Sequence, residues 1–415
     1  MEKWELFQQK KNLEEKRIVL PNATVGKDYQ VWIDLGEEAS SELILSDITG
    51  LENTGLAYHK ESNTLAGTPL GNADLKLIFN FLIAGETIEK KVPFAINPDP
   101  RSLWKNLESD PQDPWWKADE QITQQLFGTK ELVAASKRGR AHANTGKFRE
   151  DHYEVATLGK QGWSILVVSD GAGSASLSRL GSKLACESAI SQLKALPETE
   201  WQALGQQLQG QTRNISGAEA DQLTTDLQQL AADFLSPTVY QVHQQLASRA
   251  ASMNISLSDL HSTLALCLIK ASDQGWMILT FSVGDCPIAL IDSDKADVLN
   301  VLDSGEYGGA TRFITMPEIF DHPDFYTRFS ARVVPDFAYL MMMSDGIYDA
   351  KFETTFNLAQ PKMWKGLIDD LEGNNPEGQQ VNLRQGNQNV AAQLSSWMDF
   401  WSTGNHDDRT LVIIY

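Results

Sequence analysis

Four aspartates lie where apolar runs begin or end, and each has a glycine or a second acid close by. They are Asp170 in VVSDG, Asp285 in FSVGD, Asp345 in MMSDG and Asp407 in DDRTLVII. A further acidic pair, Glu150-Asp151, precedes an apolar run in FREDHYEV. Carboxylates that are brought together repel one another unless a cation neutralises them. Oxygen donors of this kind suit Mg²⁺ or Mn²⁺, whereas zinc prefers histidine and cysteine.

A glycine follows two of these aspartates. Gly171 and Gly346 are expected to let the chain turn sharply, and Gly171 can also offer its carbonyl oxygen to a cation. One Asp-Gly pair alone is typical of any loop turn. Two such pairs after apolar runs, together with the Asp-Asp pair before the last run, favour a cation site over unrelated turns.

The elements that must position these acids are strands and helices after residue 120. Strands are predicted at 131–137, 153–158, 163–169, 263–271, 276–283, 288–292, 338–343 and 409–414. Helices are predicted at 176–196, twice within 199–252, and at 390–401. The strands come as hairpins and the helices as pairs, which favours an α+β fold of stacked layers over a βαβ winding.

The first part of the chain has a different pattern. After a charged segment at 1–17, short strands at 29–35, 43–46, 56–59, 75–84 and 86–96 predict a small β-sandwich over 18–97. A hairpin turn is predicted at 84–86. The phrase ITGLENTGLAYHKESNTLAGTP resembles the signature of immunoglobulin-like repeat domains, which are usually binding or spacer modules.

Residues 98–120 are rich in proline and tryptophan, which predicts a linker lying against a surface. Its tryptophans, Trp104, Trp115 and Trp116, either dock the linker onto a neighbouring domain or form a peptide-binding patch. The domain that carries the acids is then expected to span 121–415.

Composition excludes several classes of protein. Of 415 residues, 35 are Lys or Arg and 55 are Asp or Glu, so a net charge of -20 disfavours binding to nucleic acid or to anionic membranes. The N-terminus is charged and no apolar run is long enough to span a bilayer, so we expect a cytoplasmic protein. Three cysteines without CxxC spacing are expected to be free thiols.

In chain order, the motifs match a known series. The ED pair, VVSDGAGS, VGDC, MMSDGIYD and DDRTLVII resemble the metal-dependent protein phosphatases of type 2C. RGRAHANTGKFREDHY and GEYGGATRFIT resemble segments of the divergent bacterial branch of that family. The resemblance covers about residues 131 to 415. It implies a four-layer α-β-β-α sandwich with two metal ions at one end.

The resemblance also implies ligands for two Mn²⁺ or Mg²⁺ ions. One ion would be held by Glu150, Asp170 and the Gly171 carbonyl oxygen. The other would be held by Asp345 and Asp407, with Asp170 bridging the two ions. The resemblance gives two further residues alternative roles. Asp151 would contact metal-bound water or ligate directly, and Asp285 would either serve a third, looser ion or cap a turn.

The implied chemistry is hydrolysis of phosphoserine and phosphothreonine in proteins. Two cations would acidify a bridging water, and the resulting hydroxide would attack phosphorus without a phosphoenzyme. The partners would be phosphoprotein substrates, including a cognate bacterial kinase or its targets.

The chain departs from the family pattern at two groups. In the family, an arginine often stands four residues before the metal-binding glutamate, but that position is Gly146 here. Arg140, Lys147 or Arg149 could take the role of the missing arginine, and we favour Arg140. The sequence DGAGS also lacks the histidine of DGHGG, which can protonate the leaving oxygen.

Three histidines lie near the motifs and could replace the missing one: His142, His152 and His406, of which His142 is favoured. Ser174 and Ser176 are expected to cap the helix that follows them. Residues 317–334 are expected to form either a substrate-selecting flap or a plain surface connection. The charges to test there are Arg312, Arg328 and Arg332.

The sequence therefore predicts a metal-dependent serine/threonine protein phosphatase with an N-terminal β domain. One alternative is a catalytically weak relative that acts as a regulatory or scaffold protein. A metal-dependent nuclease or small-molecule phosphohydrolase is another, which the acidic charge and the ordered motifs disfavour.

Overall fold

The structure is a computed structural model that describes residues 3–35, 43–209, 218–292, 294–303, 311–402 and 404–415. Contacts divide the chain into two compact units, Met1–Lys105 and Asn106–Tyr415. The predicted linker at 98–120 is thereby divided between the two units. Within the described ranges, none of the helices is long and apolar enough to cross a bilayer.

In the part of the first unit that the structure describes, there are one α-helix and two small sheets. Its elements are α1 (Lys3–Glu15), β1 (Ala23–Thr24), β2 (Tyr29–Trp32), β3 (Ile44–Thr49), β4 (Leu56–His59), β5 (Thr64–Gly67), β6 (Ala73–Ile83), β7 (Glu86–Asn97) and a 3₁₀ turn at Pro100–Leu103. The strand orders are β1-β7-β6-β3 and β2-β5-β4. Apolar residues of both sheets form one core, so a β-sandwich is present as predicted.

Alternation along the strands explains this sandwich. In β6, Leu77, Phe79 and Phe81 are buried, and the residues between them are half-buried, as the two-residue period of a strand requires. Ile83 pairs with Glu86 across a two-residue turn in which Ala84 and Gly85 both have positive φ. Helix α1 and strands β1 and β5 were not predicted. Strand β5 is only four residues long and ends in glycine, so it gives little strand signal.

The described residues of the second unit form eleven strands. They are β8 (Glu120–Phe127), β9 (Lys130–Lys137), β10 (His152–Leu158), β11 (Trp163–Ser169), β12 (Leu264–Ser272), β13 (Gly275–Val283), β14 (Ile288–Ile291), β15 (Ala296–Val298), β16 (Phe329–Val334), β17 (Tyr339–Met343) and β18 (Arg409–Ile414). Its helices are α2 (Arg140–Thr145), α3 (Ser178–Ala195), α4 (Glu198–Gln209), α5 (Ala218–Met253), α6 (Glu318–Asp321), α7 (Asp345–Phe352), α8 (Pro361–Leu371) and α9 (Val390–Trp397). Shorter 3₁₀ turns lie at Leu257–Leu260, Pro323–Arg328 and Thr355–Ala359.

These strands form two antiparallel sheets, with orders β10-β11-β12-β13-β16 and β15-β14-β17-β18-β9-β8. Helices α3 to α5 pack on the first sheet and α7 to α9 on the second. A third apolar cluster fills the space between the sheets. In β17, Leu340 and Met342 face the other sheet while Met341 and Met343 face the helices. The four-layer α-β-β-α sandwich is therefore confirmed.

Most predicted strands agree with the structure to within two residues, and 163–169 and 409–414 agree at both ends. The expected helix caps were wrong. Helix α3 begins at Ser178, after Leu177, and no side chain caps it. The Ser176 hydroxyl donates instead to Asp259 Oδ1 at 2.9 Å. Its partner belongs to a neighbouring 3₁₀ turn, which local sequence does not reveal.

Candidate metal centre and active site

The predicted aspartates lie at strand ends and at the start of a helix. Asp170 directly follows β11, and Asp345 opens α7 one residue after β17. Carboxylate oxygens of Asp170 and Asp285 and the Cys286 sulfur lie within 4.8 Å of one another. Thr263 fixes Asp170 from the neighbouring strand: its hydroxyl accepts from the Asp170 N–H, and its own N–H donates to the Asp170 carbonyl, both at 2.8 Å.

The pKa values of these aspartates reflect their crowding. Burial and then the charge of Asp345 raise the pKa of Asp170 well above its usual range. Burial, followed by Asp407 and Asp285, does the same to the pKa of Asp345. Each carboxylate therefore opposes the ionisation of the next. A divalent cation placed among them would reverse this effect, because it favours the charged forms.

Glu150 and Asp151 form a second part of the acidic cluster. Burial raises the pKa of Glu150 to about 7, although nearby His142 opposes the change. Burial and Asp408 raise the pKa of Asp151 to about 6. Its Oδ2 accepts hydrogen bonds from the hydroxyls of Ser344 and Thr410, both at 2.7 Å. Asp151 is thus held by Ser344, which directly precedes Asp345, and by Thr410, three residues after Asp407.

Asp408 organises the loop that carries the acidic pair, and sequence reasoning did not single it out. Its carboxylate accepts from the N–H groups of Gly139 (2.6 Å) and Glu150. It also contacts His142 Nδ1 at 3.0 Å. Burial opposes ionisation of Asp408, but the hydrogen bond from His142 and those from the backbone lower its pKa. The sequence showed the Asp-Asp pair but did not show the role of Asp408, its second member.

His142 lies at the acidic cluster. Since ionised Asp408 can only accept, Nδ1 of His142 must donate to it. The other ring nitrogen, Nε2, lies 3.8 Å from Glu150 Oε2. Burial alone would lower the pKa of His142, but Asp408, followed by Glu150 and Asp407, raises it to about 9. His142 is therefore a cation that faces the cluster.

Two of the basic residues considered for phosphate binding, Arg140 and Arg149, are already engaged by other groups of the chain. Arg140 donates to the Asp399 carbonyl oxygen at 2.6 Å and stands over the Trp401 ring, 5.7 Å from its centroid. Arg149 is buried and donates to the Ala118 carbonyl and the Ser136 hydroxyl. Its contacts with the protein interior make it a structural residue.

Lys117 is a second residue that sequence reasoning missed. It is buried, and its Nζ donates to the carbonyl oxygens of Glu150 (3.1 Å) and Asp151 (2.7 Å) and to the Ser182 hydroxyl (3.1 Å). It belongs to the segment that was expected to be a linker. Asp113 in the same segment makes a two-pronged ion pair with Arg179 at the start of α3. This stretch therefore supports the Glu150-Asp151 loop.

The predicted explanation for the two glycines after the aspartates, a sharp turn that only glycine allows, was wrong. Neither Gly171 nor Gly346 has positive φ. A Cβ at Gly171 would lie 2.9 Å from the Glu150 carbonyl oxygen, and one at Gly346 would overlap the Asp408 carbonyl oxygen. Both glycines thus allow acid-bearing segments to approach closely.

Residues 317–334 contain α6, a 3₁₀ turn and strand β16, so their last six residues belong to the first sheet and not to a flap or a plain connection. The arginines in and near this segment differ in accessibility. Arg328 is buried in a two-pronged ion pair with Asp303, at 2.7 and 2.9 Å. Asp303 also accepts from the Gly284 N–H at 2.8 Å. Arg328 therefore has a structural role, whereas Arg332 is exposed and Arg312 is half-buried.

The other two histidines, His152 and His406, do not contact the acidic cluster as His142 does. His152 is buried and bonds through Nε2 with Glu154 Oε1 at 3.2 Å. The His406 ring packs against Trp401, with 4.6 Å between centroids. Cys186, Cys267 and Cys286 are buried free thiols, as expected.

The donor set fits hard divalent cations. Asp170, Asp345 and Glu150, whose pKa values are raised, offer carboxylate oxygens from several elements, the kind of donor that Mg²⁺ and Mn²⁺ prefer. A second group of ligand atoms within 4.8 Å comprises His142, Asp407 and Asp408. Within that group, His142 and Asp408 already form an ion pair with each other.

The model of the family described as "Protein phosphatase 2C" matches residues 138–398. That range includes Glu150, Asp170, Asp285 and Asp345. The chain belongs to the protein phosphatase 2C family. A search of curated proteins finds no match.

Several solved structures, among them two bacterial serine/threonine phosphatases, are similar to this chain at low identity. The serine/threonine phosphatase Stp1 from Staphylococcus aureus is 13% identical, with TM-score 0.39, over 74% of this chain and 96% of that one. The phosphatase PstP/Ppp of Mycobacterium tuberculosis is 15% identical, with TM-score 0.36, over 68% and 97%. RsbX in complex with magnesium is 12% identical, with TM-score 0.37, over 71% and 98%.

Proposed function

We propose that this protein is a metal-dependent serine/threonine protein phosphatase. The observation that carries the proposal is the crowding of Asp170, Asp285 and Asp345, whose pKa values are all raised, within a chain of the protein phosphatase 2C family. The proposed ligands are these three aspartates with Glu150, Asp407 and the Gly171 carbonyl oxygen. Asp151 would complete the set by contacting water or metal.

When bound, two Mn²⁺ or Mg²⁺ ions would supply Lewis acidity and an activated water. The chain itself supplies the groups around them. Asp151, held by Ser344 and Thr410, would accept a hydrogen bond or proton from water. His142 would donate from Nε2 to a phosphoryl oxygen or to the leaving oxygen, because Asp408 keeps it protonated.

Placement of the side chains supports His142 over Arg140 for this role. The Arg140 guanidinium is engaged by the Asp399 carbonyl and the Trp401 ring, whereas His142 contacts three acids of the cluster. We propose that the catalytic domain spans 121–415, that 98–120 is the connecting segment, and that 18–97 is an immunoglobulin-like binding module preceded by 1–17. The expected partners are phosphoproteins made by serine/threonine kinases.

The test is a panel of substrates at equal concentration with Mn²⁺. We expect turnover of phosphothreonine and phosphoserine peptides, and much less with a phosphotyrosine peptide, a sugar phosphate or plasmid DNA. His142→Gln should lower kcat by about 10²- to 10⁴-fold, and Arg140→Gln should change it by less than tenfold. Cleavage of DNA, or turnover of the sugar phosphate alone, would contradict the proposal. No turnover by folded protein would favour the scaffold alternative.

A further inference from the structure

A cavity of about 510 Å³ opens beside the candidate metal centre, between the 3₁₀ turn Leu257–Leu260 and the segment 312–322. Its wall is mostly apolar and includes Leu257, Met316, Pro317 and Ile319. A volume of this size is typical of pockets that hold a small ligand or several side-chain groups. We call it the Met316 cavity.

Two backbone connections place the Met316 cavity next to the acidic cluster. His261 lines the cavity, and its carbonyl oxygen accepts from the N–H of Ala172, which follows the Asp170-Gly171 pair. Arg312 also lines the cavity, and the preceding residue, Thr311, donates to Asp285 Oδ2 at 3.1 Å. Since consecutive Cα atoms are about 3.8 Å apart, the cavity wall begins within a few residues' length of the cluster.

The walls of the cavity are held in place by internal contacts. His261 Nδ1 lies 2.6 Å from the Thr315 hydroxyl, and the His261 ring stacks on Phe313 with 4.8 Å between centroids. Ile319 is buried in the core of the helical layer. The cavity therefore exists before a ligand arrives, so little ordering opposes binding.

The wall carries charges of both signs, Arg312 and Glu318, and the arginine is the one that would attract a phosphorylated segment. Among the residues that the structure describes, Arg312 forms no ion pair, although the chain as a whole is strongly acidic. A phosphorylated side chain at the acidic cluster would carry negative charge past this arginine. An extended peptide advances about 3.3–3.6 Å per residue, so the side chains next to the phosphoresidue would reach the Met316 cavity.

We infer that the Met316 cavity is a subsite for one large apolar side chain of the phosphoprotein, within about three residues of the phosphorylated serine or threonine. This inference rests on the proposed function and adds the class of sequence that the enzyme selects. Burial of one such side chain in an apolar pocket is expected to favour it over glycine by about tenfold or more.

The test measures kcat/KM for phosphothreonine peptides in which each position from three before to three after the phosphoresidue carries Leu, Gly or Lys in turn. Wild type should prefer Leu over Gly by about tenfold or more at one position. Met316→Trp, which fills the cavity, should abolish that preference and leave hydrolysis of p-nitrophenyl phosphate within about twofold. Leu257→Trp is a second filling variant, and Leu126→Trp, on exposed β8, is the matched control that should keep the preference.

Three results would overturn the inference while leaving the proposed function intact. These are no positional preference in wild type, a preference that survives both filling variants, and a preference that the Leu126→Trp control loses as well. If wild type hydrolyses neither p-nitrophenyl phosphate nor any peptide, the proposed function has failed and the subsite fails with it. Thermal unfolding of each variant shows whether a loss of activity reflects loss of the fold.

Discussion

Lys117 Nζ donates a hydrogen bond of 2.7 Å to the carbonyl oxygen of Asp151, so a buried lysine from the start of the second unit supports the acidic loop. The same amine contacts the Glu150 carbonyl and the Ser182 hydroxyl. Burial lowers the pKa of Lys117 well below its usual range, which shows how completely it is enclosed. Since a lysine amine has three donors, these three acceptors account for all of them.

We expect Lys117→Met to weaken Mn²⁺ binding by about 10- to 100-fold, as does the loss of groups that orient metal ligands in other sites. Calorimetric titration with Mn²⁺ measures this effect. The matched control is Lys130→Met, because Lys130 also donates to a backbone carbonyl, that of Phe337, and its acidic partner is Asp336, which is not a predicted ligand. Both variants should lose some stability. Equal Mn²⁺ affinity in wild type and Lys117→Met would refute a positioning role.

Replacing one crowded carboxylate should stabilise the protein in the presence of chelator. Burial, followed by the charges of the surrounding acids, raises the pKa of Asp345, so its charge opposes folding at pH 8. Asp345→Asn is therefore expected to raise the free energy of unfolding in EDTA by about 1–3 kcal/mol. Added Mn²⁺ should stabilise the wild type and not the variant.

The control for that comparison is Asp273→Asn, in the exposed turn between β12 and β13, far along the strand from Asp170. It should change neither quantity. Urea unfolding with EDTA and with Mn²⁺ gives both free energies. A less stable Asp345→Asn variant in EDTA would mean that the carboxylate makes a favourable contact in the folded chain.

His152 gives a prediction for acid stability. Burial, assisted by Lys117 and Arg149, lowers the pKa of His152 to about 4, below its ordinary value of 6.5. The unfolded chain then binds the proton first, so stability is lost as the pH falls from 6.5 towards 4. The loss amounts to about 2–3 kcal/mol. His152→Gln should remove this part of the pH dependence, and the check is urea unfolding at pH 7, 6, 5 and 4. Parallel curves for the two proteins would show that His152 does not titrate in this way.

The buried ion pair between Arg328 and Asp303 gives a prediction for stability. Arg328→Met leaves Asp303 buried without its partner, which typically costs about 3–5 kcal/mol. Arg332→Met is the control, because Arg332 is exposed and should cost less than about 0.5 kcal/mol. Urea unfolding distinguishes the two. A small loss for Arg328→Met would show that Asp303 finds another partner or water.

Sequence patterns predicted the layers and the acids better than the contacts that fix them. Continuous apolar runs such as 163–169 predicted buried strands because both faces of those strands are covered. Helix α7 was missed because its first residues, Asp345-Gly346, also form a common turn signal. The predicted reason for Gly346 failed similarly: the close approach of the Asp408 carbonyl is a long-range contact.

The supporting residues could not be predicted for the same physical reason. Asp408 contacts Glu150 across most of the second unit, and Lys117 contacts Asp151 from another segment of the chain. Such contacts depend on the packing of layers, which local composition does not encode. Arg140 and His142 lie on one helical turn, and only the packed structure shows which side chain faces the acids.

The central claim is that the acidic cluster binds the metal ions that hydrolyse phosphate esters. The most direct measurement is the initial rate of p-nitrophenyl phosphate hydrolysis with Mn²⁺ and with EDTA, for wild type, Asp345→Asn and Asp273→Asn. The account predicts turnover by wild type and Asp273→Asn with Mn²⁺ only, and a loss of at least about 10²-fold for Asp345→Asn. Equal rates in EDTA, or a fully active Asp345→Asn variant, would contradict it.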